Sequence, residues 1–188
     1  MDVIFTIVSR NYAAQAATLM QSVAAVEPGV KRVVVATDGP IPQLESLAEV
    51  IDAGEVGAPF AAMCVYYDAL ELNTAVKPYV FGHLMGRPGV GSVTYLDPDI
   101  VVFKPLDAVR DGLKQAQLVL TPHILRPLLG DANPKASSQL FELLYDDLRR
   151  LARGHAQGRL LARGPAGGIC ILASVTRGSR PITVDIAT

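Results

Sequence analysis

The sequence predicts an α/β fold in which an open, mostly parallel sheet is flanked by helices. Two short runs rich in β-branched residues, at 3–8 and 33–37, enclose a stretch at 13–26 whose apolar residues recur at helical spacing. A strand, a helix and a strand with short links form a βαβ unit, which implies parallel pairing and a right-handed crossover. The chain has 188 residues, of which 50% are hydrophobic and 19% are charged. It can therefore bury a core, and the disordered class of protein is excluded.

Composition also narrows the function classes and the cellular setting. The formal net charge is −1, so no overall positive field favours nucleic acid as a partner. The cysteines, Cys64 and Cys170, are far apart in apolar runs, which is neither a disulfide framework nor a zinc-binding spacing. A reduced, cytoplasmic setting is therefore expected. The chain has no signal-peptide pattern and no apolar run of about 18 residues, so no transmembrane segment is expected.

The middle of the chain predicts three helices, at 42–53, 59–70 and 75–85. The first of them has an apolar stripe at helical spacing, made by Leu44, Leu47, Ala48 and Ile51. A glycine- and proline-rich run at 86–89 ends the third helix.

Strands are predicted next, at 91–96, 100–103 and 118–121, because each run is short, apolar and rich in β-branched residues. A helix at 137–151 follows, with leucines along one side. Beyond it the sequence predicts only one short apolar element, at 169–173.

The charge balance changes near Leu148. Residues 148–188 contain seven arginines, six glycines and a single acid, Asp185. The chain is therefore expected to divide into a domain at 1–147 and an atypical Arg/Gly-rich segment at 148–188. We expect that segment to be truncated, frame-changed or poorly ordered.

The pair Asp97 and Asp99 is the sharpest chemical feature of the sequence, since it lies between two predicted strands. On an extended chain positions i and i+2 share a face, so both carboxylates are expected to point the same way. Like charges this close raise each other's pKa unless a cation lies beside them. Hard cations such as Mg²⁺ or Mn²⁺ prefer carboxylate oxygens. The alternative is two solvated turn acids on either side of Pro98.

The string from Asp97 to Val101 also resembles the Asp-x-Asp-x-Val loop of haloacid-dehalogenase-like phosphatases, in which the first Asp is the nucleophile. Three features count against that alternative. Two predicted strands precede the pair, no Gly-Asp-x-x-x-Asp follows it, and the strand is predicted to continue at 100–103.

A second resemblance covers more of the chain, roughly residues 2–125. The runs at 5–12, 72–79 and 95–106 are similar to nucleotide-sugar glycosyltransferases of the GT-A type, above all to bacterial relatives of the glycogenin-like group. The resemblance implies a Rossmann-like nucleotide-diphospho-sugar transferase fold and a hexosyltransferase-type enzyme. It further implies a nucleoside-diphosphate sugar donor, an acceptor that stays unknown, and a domain at 1–147 that binds the donor.

The resemblance also implies site residues. Asp97 and Asp99 correspond to the Asp-x-Asp that holds Mn²⁺ or Mg²⁺ on the donor diphosphate, and Lys77 to a basic residue that approaches the donor. The nucleoside would lie beside the end of the first predicted strand, the loop that follows it and the end of the second strand. The residues at these places are Thr6, Ile7, Ser9, Asn11, Tyr12 and Asp38. Simpler roles stay open, namely a snorkelling Lys77, turn chemistry for Asp38 and capping of the following helix by Asn11.

The resemblance weakens towards the end of the chain. The group often completes its metal site with a late His-x-x-Gly-x-x-Lys-Pro, of which only His155 and Gly158 match, and His123 could also face the site. A catalytic base cannot be selected among the candidates Asp131, Glu142, Asp146 and Asp147. Both inversion and retention of configuration at the anomeric carbon of the sugar stay open.

Overall fold

The computed structural model of the protein describes residues 1–120, 172–176 and 184–186. Within these residues one mixed sheet contains the strands β1 (Asp2–Val8), β2 (Lys31–Ala36), β3 (Glu49–Asp52), β4 (Ser92–Leu96), β5 (Leu118–Leu120), β6 (Leu172–Thr176) and β7 (Val184–Ile186). Their order is β3-β2-β1-β4-β6-β5-β7. The first four are mutually parallel, β6 is antiparallel to both β4 and β5, and β7 is parallel to β5. The predicted open, mostly parallel α/β fold is confirmed.

Helices lie on both faces of the sheet. They are α1 (Ala13–Val26), α2 (Phe60–Tyr66), α3 (Ala69–Ala75), α4 (Lys77–Gly86) and α5 (Asp107–Gln115). Side chains of β1 alternate between the faces, as a strand requires. Phe5 and Ile7 pack with α4 in one buried cluster, and Ile4 and Val8 pack with α1 in the other.

The helix predicted at 42–53 is wrong. Only a 3₁₀ turn at Pro42–Leu44 forms there, and β3 follows it. Val50 and Ile51 pair with adjacent residues of β2. Ile51 is buried in one cluster and Val50 packs, partly buried, against the other, so both faces of the strand make apolar contacts. Two adjacent β-branched residues also favour a strand over a helix.

The helix predicted at 59–70 is two helices. The chain is extended at Tyr67, where α2 has ended, and Asp68 then starts α3. The Asp68 carboxylate accepts from the Glu71 N–H at 2.8 Å, and the Glu71 carboxylate accepts from the Asp68 N–H at 3.1 Å. This capping box satisfies the free donors of a new helix, which favours the break. The helix predicted at 75–85 is α4, with Pro78 in its first turn.

The strand predicted at 100–103 is also wrong. The chain turns directly after β4, and the Ile100 N–H donates to the Asp97 carbonyl at 3.2 Å. The run pairs with no strand of the described residues, because the Val102 N–H donates to Ser22 Oγ of α1 at 3.0 Å instead. Helix α5, which follows, was not predicted; its Gly112 is a poor helix former.

Some predicted elements fall partly or wholly outside the described residues. The helix predicted at 137–151 lies outside them, as does most of the segment at 148–188. The element predicted at 169–173 overlaps β6, and β7 was not predicted. Among the helices of the described residues, none has the length and apolar character needed to cross a bilayer.

Candidate functional site

The candidate site lies at the carboxyl ends of β1, β2 and β4. These strands are parallel and adjacent, so their ends meet at one edge of the sheet, where open α/β sheets bind ligands. Ser9 follows β1, Thr37 and Asp38 follow β2, and Asp97 follows β4. Lys77, at the start of α4, reaches the same edge.

The two acids occupy a turn rather than an extended chain, so the expectation of a shared strand face is wrong. The turn residues are Pro98 and Asp99. Asp99 is exposed, whereas the Asp97 side chain is only 14% exposed. Burial is the main reason that the pKa of Asp97 is raised, and the charge of Asp99 adds to the rise. The pKa of Asp97 is thus raised, as predicted, but the predicted cause, the charge of Asp99, is smaller than the effect of desolvation.

Two neighbours act against this rise in the pKa of Asp97. The Tyr95 hydroxyl donates to Asp97 Oδ1 at 2.5 Å, and Lys77 Nζ lies 3.7 Å from the same oxygen. Both contacts favour the ionised carboxylate. Lys77 Nζ also lies 4.2 Å from the centroid of the Tyr95 ring, within the range of a cation–π contact. The Lys77 side chain is only 15% exposed, so it packs inside the site instead of snorkelling to water.

The loop after β1 is held by its own polar side chains. Ser9 Oγ donates to Asn11 Oδ1 at 2.7 Å. Tyr12 is the N-cap of α1 and no side chain caps that helix, so the expected capping role of Asn11 is wrong. Tyr12 is exposed at this edge.

Thr6 and Ile7 lie further back, within β1, and both side chains are buried. Ile7 belongs to the cluster under α4. Thr6 Oγ1 is a buried oxygen with no hydrogen-bond partner among the described residues. Neither side chain is presented to a ligand at the sheet edge, so their predicted contacts with a nucleoside would have to come through the backbone.

Asp38 joins the loops that follow β1 and β2. Its Oδ1 accepts from the Arg10 N–H at 2.8 Å, and its carbonyl accepts from Arg10 Nη2 at 2.5 Å. Gly39 has a φ of +110°, and a Cβ there would approach Arg10 Nη2 to 3.3 Å. The turn role of Asp38 is thus present, and it places the carboxylate beside the loop at 9–12.

Sequence reasoning also missed a polar link between Thr37 and Asn73 at this edge. Thr37 Oγ1 donates to Asn73 Oδ1 at 2.8 Å, which ties α3 to the end of β2. Asn73 lies in the run at 72–79 that carries the family resemblance, and Thr37 ends the predicted strand at 33–37. The sequence therefore marked each position separately. Nothing in the sequence indicated that the two side chains meet.

The described residues can supply two carboxylates to a metal, Asp97 and Asp99. Within the part of the chain that the structure describes, no group of three or more His, Cys, Asp or Glu side chains is placed to hold a metal ion. The two histidines considered for the metal site, His123 and His155, lie outside the described residues, as do the candidate catalytic bases Asp131, Glu142, Asp146 and Asp147. Two carboxylates nevertheless suit Mg²⁺ or Mn²⁺, because such ions are commonly held by one or two carboxylates together with substrate phosphates.

Neither a protein-family model nor a curated protein matches the sequence. Solved structures match the fold. The galactosyltransferase LgtC, in complex with donor and acceptor sugar analogues, superimposes with a TM-score of 0.55 at 15% identity. The match covers 94% of this chain and 58% of that one. Mouse xyloside xylosyltransferase 1 superimposes with a TM-score of 0.52 at 9% identity, covering 94% of this chain and 67% of that one. The chain therefore has the fold of GT-A glycosyltransferases, and it spans just under three-fifths of LgtC.

Proposed function

We propose that this chain binds a nucleoside-diphosphate sugar and takes part in glycosyl transfer, as the donor-binding part of a glycosyltransferase related to the glycogenin-like group. The observation that carries the proposal is the grouping of Asp97, Asp99 and Lys77 at the carboxyl ends of the parallel strands. A fold shared with glycosyltransferases supports it, although a fold alone does not establish an activity.

Asp97 and Asp99 would hold Mn²⁺ or Mg²⁺, and the donor diphosphate would supply further oxygen ligands. When bound, the cation neutralises negative charge that develops on the departing nucleoside diphosphate. Lys77 would place a second positive charge against a phosphate oxygen. Its ammonium is already held 3.7 Å from Asp97 Oδ1, so it needs only a short movement to meet a diphosphate bound there.

The nucleoside would lie over the loops that follow β1 and β2. Ser9, Asn11 and Tyr12 lie in the first loop, and Asp38 holds that loop through the Arg10 N–H. In this role Asp38 positions the loop as well as offering its exposed carboxylate to a ligand. We assign donor binding to residues 1–147 and leave the acceptor and the catalytic base unassigned.

Nucleotide titrations with the whole chain test the proposal. A panel of nucleoside-diphosphate sugars is titrated by calorimetry with and without Mn²⁺, and phosphate release from phosphomonoesters is assayed in parallel. We expect binding of at least one donor that strengthens with Mn²⁺, without phosphate release. Failure to bind any nucleotide in either condition would contradict the proposal and would favour a catalytically inactive form of the fold.

One observation favours the phosphatase-like alternative. The chain turns directly after Asp97 instead of continuing as a strand, as the phosphatase loop would require. Asp97 nevertheless follows the fourth strand of the chain, whereas the nucleophile of those enzymes ends the first. Phosphate release that is lost in Asp97→Asn would establish this alternative.

A further inference from the structure

Tyr95 contacts both charged groups of the proposed donor site. Its hydroxyl donates to Asp97 Oδ1 at 2.5 Å, and its ring face lies 4.2 Å from Lys77 Nζ. Tyr95 and Asp97 are two positions apart at the end of β4. One buried side chain thus touches the carboxylate through its polar end and the ammonium through its aromatic face.

The Tyr95 ring is itself fixed by packing. Its centroid lies 5.2 Å from that of Phe5 on β1, and the Phe5 centroid lies 4.9 Å from that of Phe81 on α4. Lys77 begins the same helix that carries Phe81. The ring stack therefore connects the sheet to the helix that presents the lysine, and it limits how the Tyr95 hydroxyl can move.

The two carboxylate oxygens of Asp97 differ in the contacts that they make. Both the Tyr95 hydroxyl and the Lys77 ammonium lie against Oδ1. Among the hydrogen bonds between described residues, none is made to Oδ2. A carboxylate held through one oxygen in this way offers the other to an incoming cation in a fixed orientation.

We propose that Tyr95 is a positioning residue of the donor site: its hydroxyl fixes Asp97 so that Oδ2 is presented to the divalent cation, and its ring holds Lys77 for the diphosphate. This inference rests on the proposed function, because it assigns the metal to Asp97. Hydrogen bonds to metal ligands orient those ligands, and their removal typically lowers metal affinity about ten- to a hundredfold. A phenylalanine would fill the same buried space, so packing alone does not require the hydroxyl.

The substitution Tyr95→Phe separates the two functions of the side chain. It removes the hydroxyl and keeps the ring face over which Lys77 lies. We expect the affinity for Mn²⁺, measured in the presence of the nucleoside diphosphate that wild type binds best, to fall about tenfold or more. The affinity for that nucleotide without Mn²⁺ should stay unchanged, because Lys77 keeps its support. A hydroxyl with a purely structural role would change both affinities together with the melting temperature, or change neither.

A double-mutant cycle tests whether the hydroxyl acts through Asp97. In an Asp97→Asn background, adding Tyr95→Phe should cause no further loss of nucleotide affinity in the presence of Mn²⁺. Losses that multiply would overturn the inference. Tyr66→Phe is the matched control, because it removes the same hydroxyl from a side chain that is 81% exposed on α2.

The outcomes distinguish this inference from the function on which it rests. If wild type binds Mn²⁺ and nucleotide but Tyr95→Phe has the same Mn²⁺ affinity, the positioning role is wrong and the proposed function stands. If wild type shows no Mn²⁺ binding with any nucleotide of the panel, the metal-dependent function is wrong and the inference is overturned with it.

Discussion

Asp97 is held in an environment that opposes its own charge. Burial is the largest cause of its raised pKa, and Asp99 adds a like charge, while Tyr95 and Lys77 offset only part of the effect. A carboxyl group with a raised pKa in the folded state favours folding more when it is protonated than when it is ionised. In the metal-free protein the charge of Asp97 therefore lowers stability. A divalent cation at this position would remove the penalty.

We therefore expect Asp97→Asn to raise the free energy of unfolding of the metal-free protein at neutral pH. The amide removes the buried charge and keeps an oxygen that can accept from the Tyr95 hydroxyl. The gain should shrink as the pH falls through the pKa of Asp97, since the wild-type carboxyl group then becomes neutral as well. Urea denaturation of both proteins across pH measures this difference. A lower stability of Asp97→Asn at neutral pH would show instead that its ion pair with Lys77 dominates.

Asp99 and Lys77 should affect ligand binding in different ways. Asp99 is exposed in the turn after β4, so Asp99→Asn should leave stability unchanged or slightly higher. The same substitution should remove the effect of Mn²⁺ on nucleotide binding.

Lys77→Ala should weaken nucleotide binding but keep the Mn²⁺ effect, because lysine acts as a point charge on phosphate. A charge-assisted contact is worth roughly 1.5–3 kcal/mol, or about ten- to a hundredfold in affinity.

Calorimetric titrations of both variants, with and without Mn²⁺, measure these effects. If Asp99 and Lys77 had no role in ligand binding, nucleotide and metal binding would stay unchanged in both variants. A loss of several kcal/mol of stability in metal-free Asp99→Asn would show that the acid pair is structural, and the site assignment would then be wrong.

The charged residues of the site were predictable because they lie within short sequence segments. Asp97 and Asp99 follow an apolar run, and Lys77 opens a helical one. The links between segments were not predictable. Asn73 meets Thr37 across 36 positions and Asp38 meets the Arg10 N–H across 28, and both contacts depend on strand order and loop path.

At the scale of elements, local patterns predicted β1, β2, β4, α1 and α4, whereas the segment at 42–53 was wrongly predicted as a helix. Its apolar residues at 44–51 fit a helical stripe, yet β3 forms because β2 has an open edge with which to pair. The pairing with β2 and the apolar contacts of Val50 and Ile51 on opposite faces outweigh the helical spacing of the four apolar residues. The break before α3 had a local signal in Asp68 and Glu71, whose spacing is that of a capping box.

Helix α5 depends on a glycine where it packs on the sheet. A Cβ at Gly112 would lie 2.9 Å from Val119 Cγ2 of the buried strand β5. An alanine usually stabilises a helix interior by about 1 kcal/mol relative to glycine. Here overpacking should reverse the sign, and Gly112→Ala should destabilise the protein by about 1–3 kcal/mol. Thermal and urea denaturation of the variant measure the change.

Gly86→Ala is the matched control for this substitution. Gly86 is the last residue of α4, and a Cβ there would meet no heavy atom within 4 Å. We expect this alanine to be neutral or to stabilise the protein by up to about 1 kcal/mol. Equal effects of the two alanines would show that α5 can shift away from Val119 without loss.

At the scale of the whole molecule, the sheet separates two buried clusters, and an ionic network joins α1, α5 and β1 at the edge opposite the candidate site. Glu27 ends α1, and its Oε1 accepts from the Leu106 N–H at 2.7 Å. Its Oε2 pairs with Arg110 of α5, whose Nε lies 3.9 Å from Asp2 Oδ2 at the start of β1. The Glu27 side chain is 8% exposed and that of Arg110 is 34% exposed, so water screens the pair only in part.

This network gives stability a defined dependence on pH. Burial alone would raise the pKa of Glu27, but the hydrogen bonds from Arg110 and from the Leu106 N–H, with the charge of Arg110, bring it below the ordinary value of 4.5. A carboxyl group with a lowered pKa contributes stability that is present above its unfolded pKa. That stability is lost as the pH falls through the folded pKa. Asp97, whose pKa is raised, acts in the opposite direction over acidic pH.

We therefore expect Glu27→Gln to lower the free energy of unfolding by about 1–3 kcal/mol at pH 7. The amide keeps an acceptor for the Leu106 N–H, but it leaves Arg110 without its buried, charged partner. The difference from wild type should narrow as the pH falls below about 4.5, because the wild-type carboxyl group then loses its charge too. Because Asp97 is present in both proteins, its opposite contribution cancels from that difference. Urea denaturation at several pH values measures it, and Glu45→Gln, on an exposed side chain, is the matched control. A difference that stays constant across pH would show that packing, and not the charge of Glu27, joins α1 to α5.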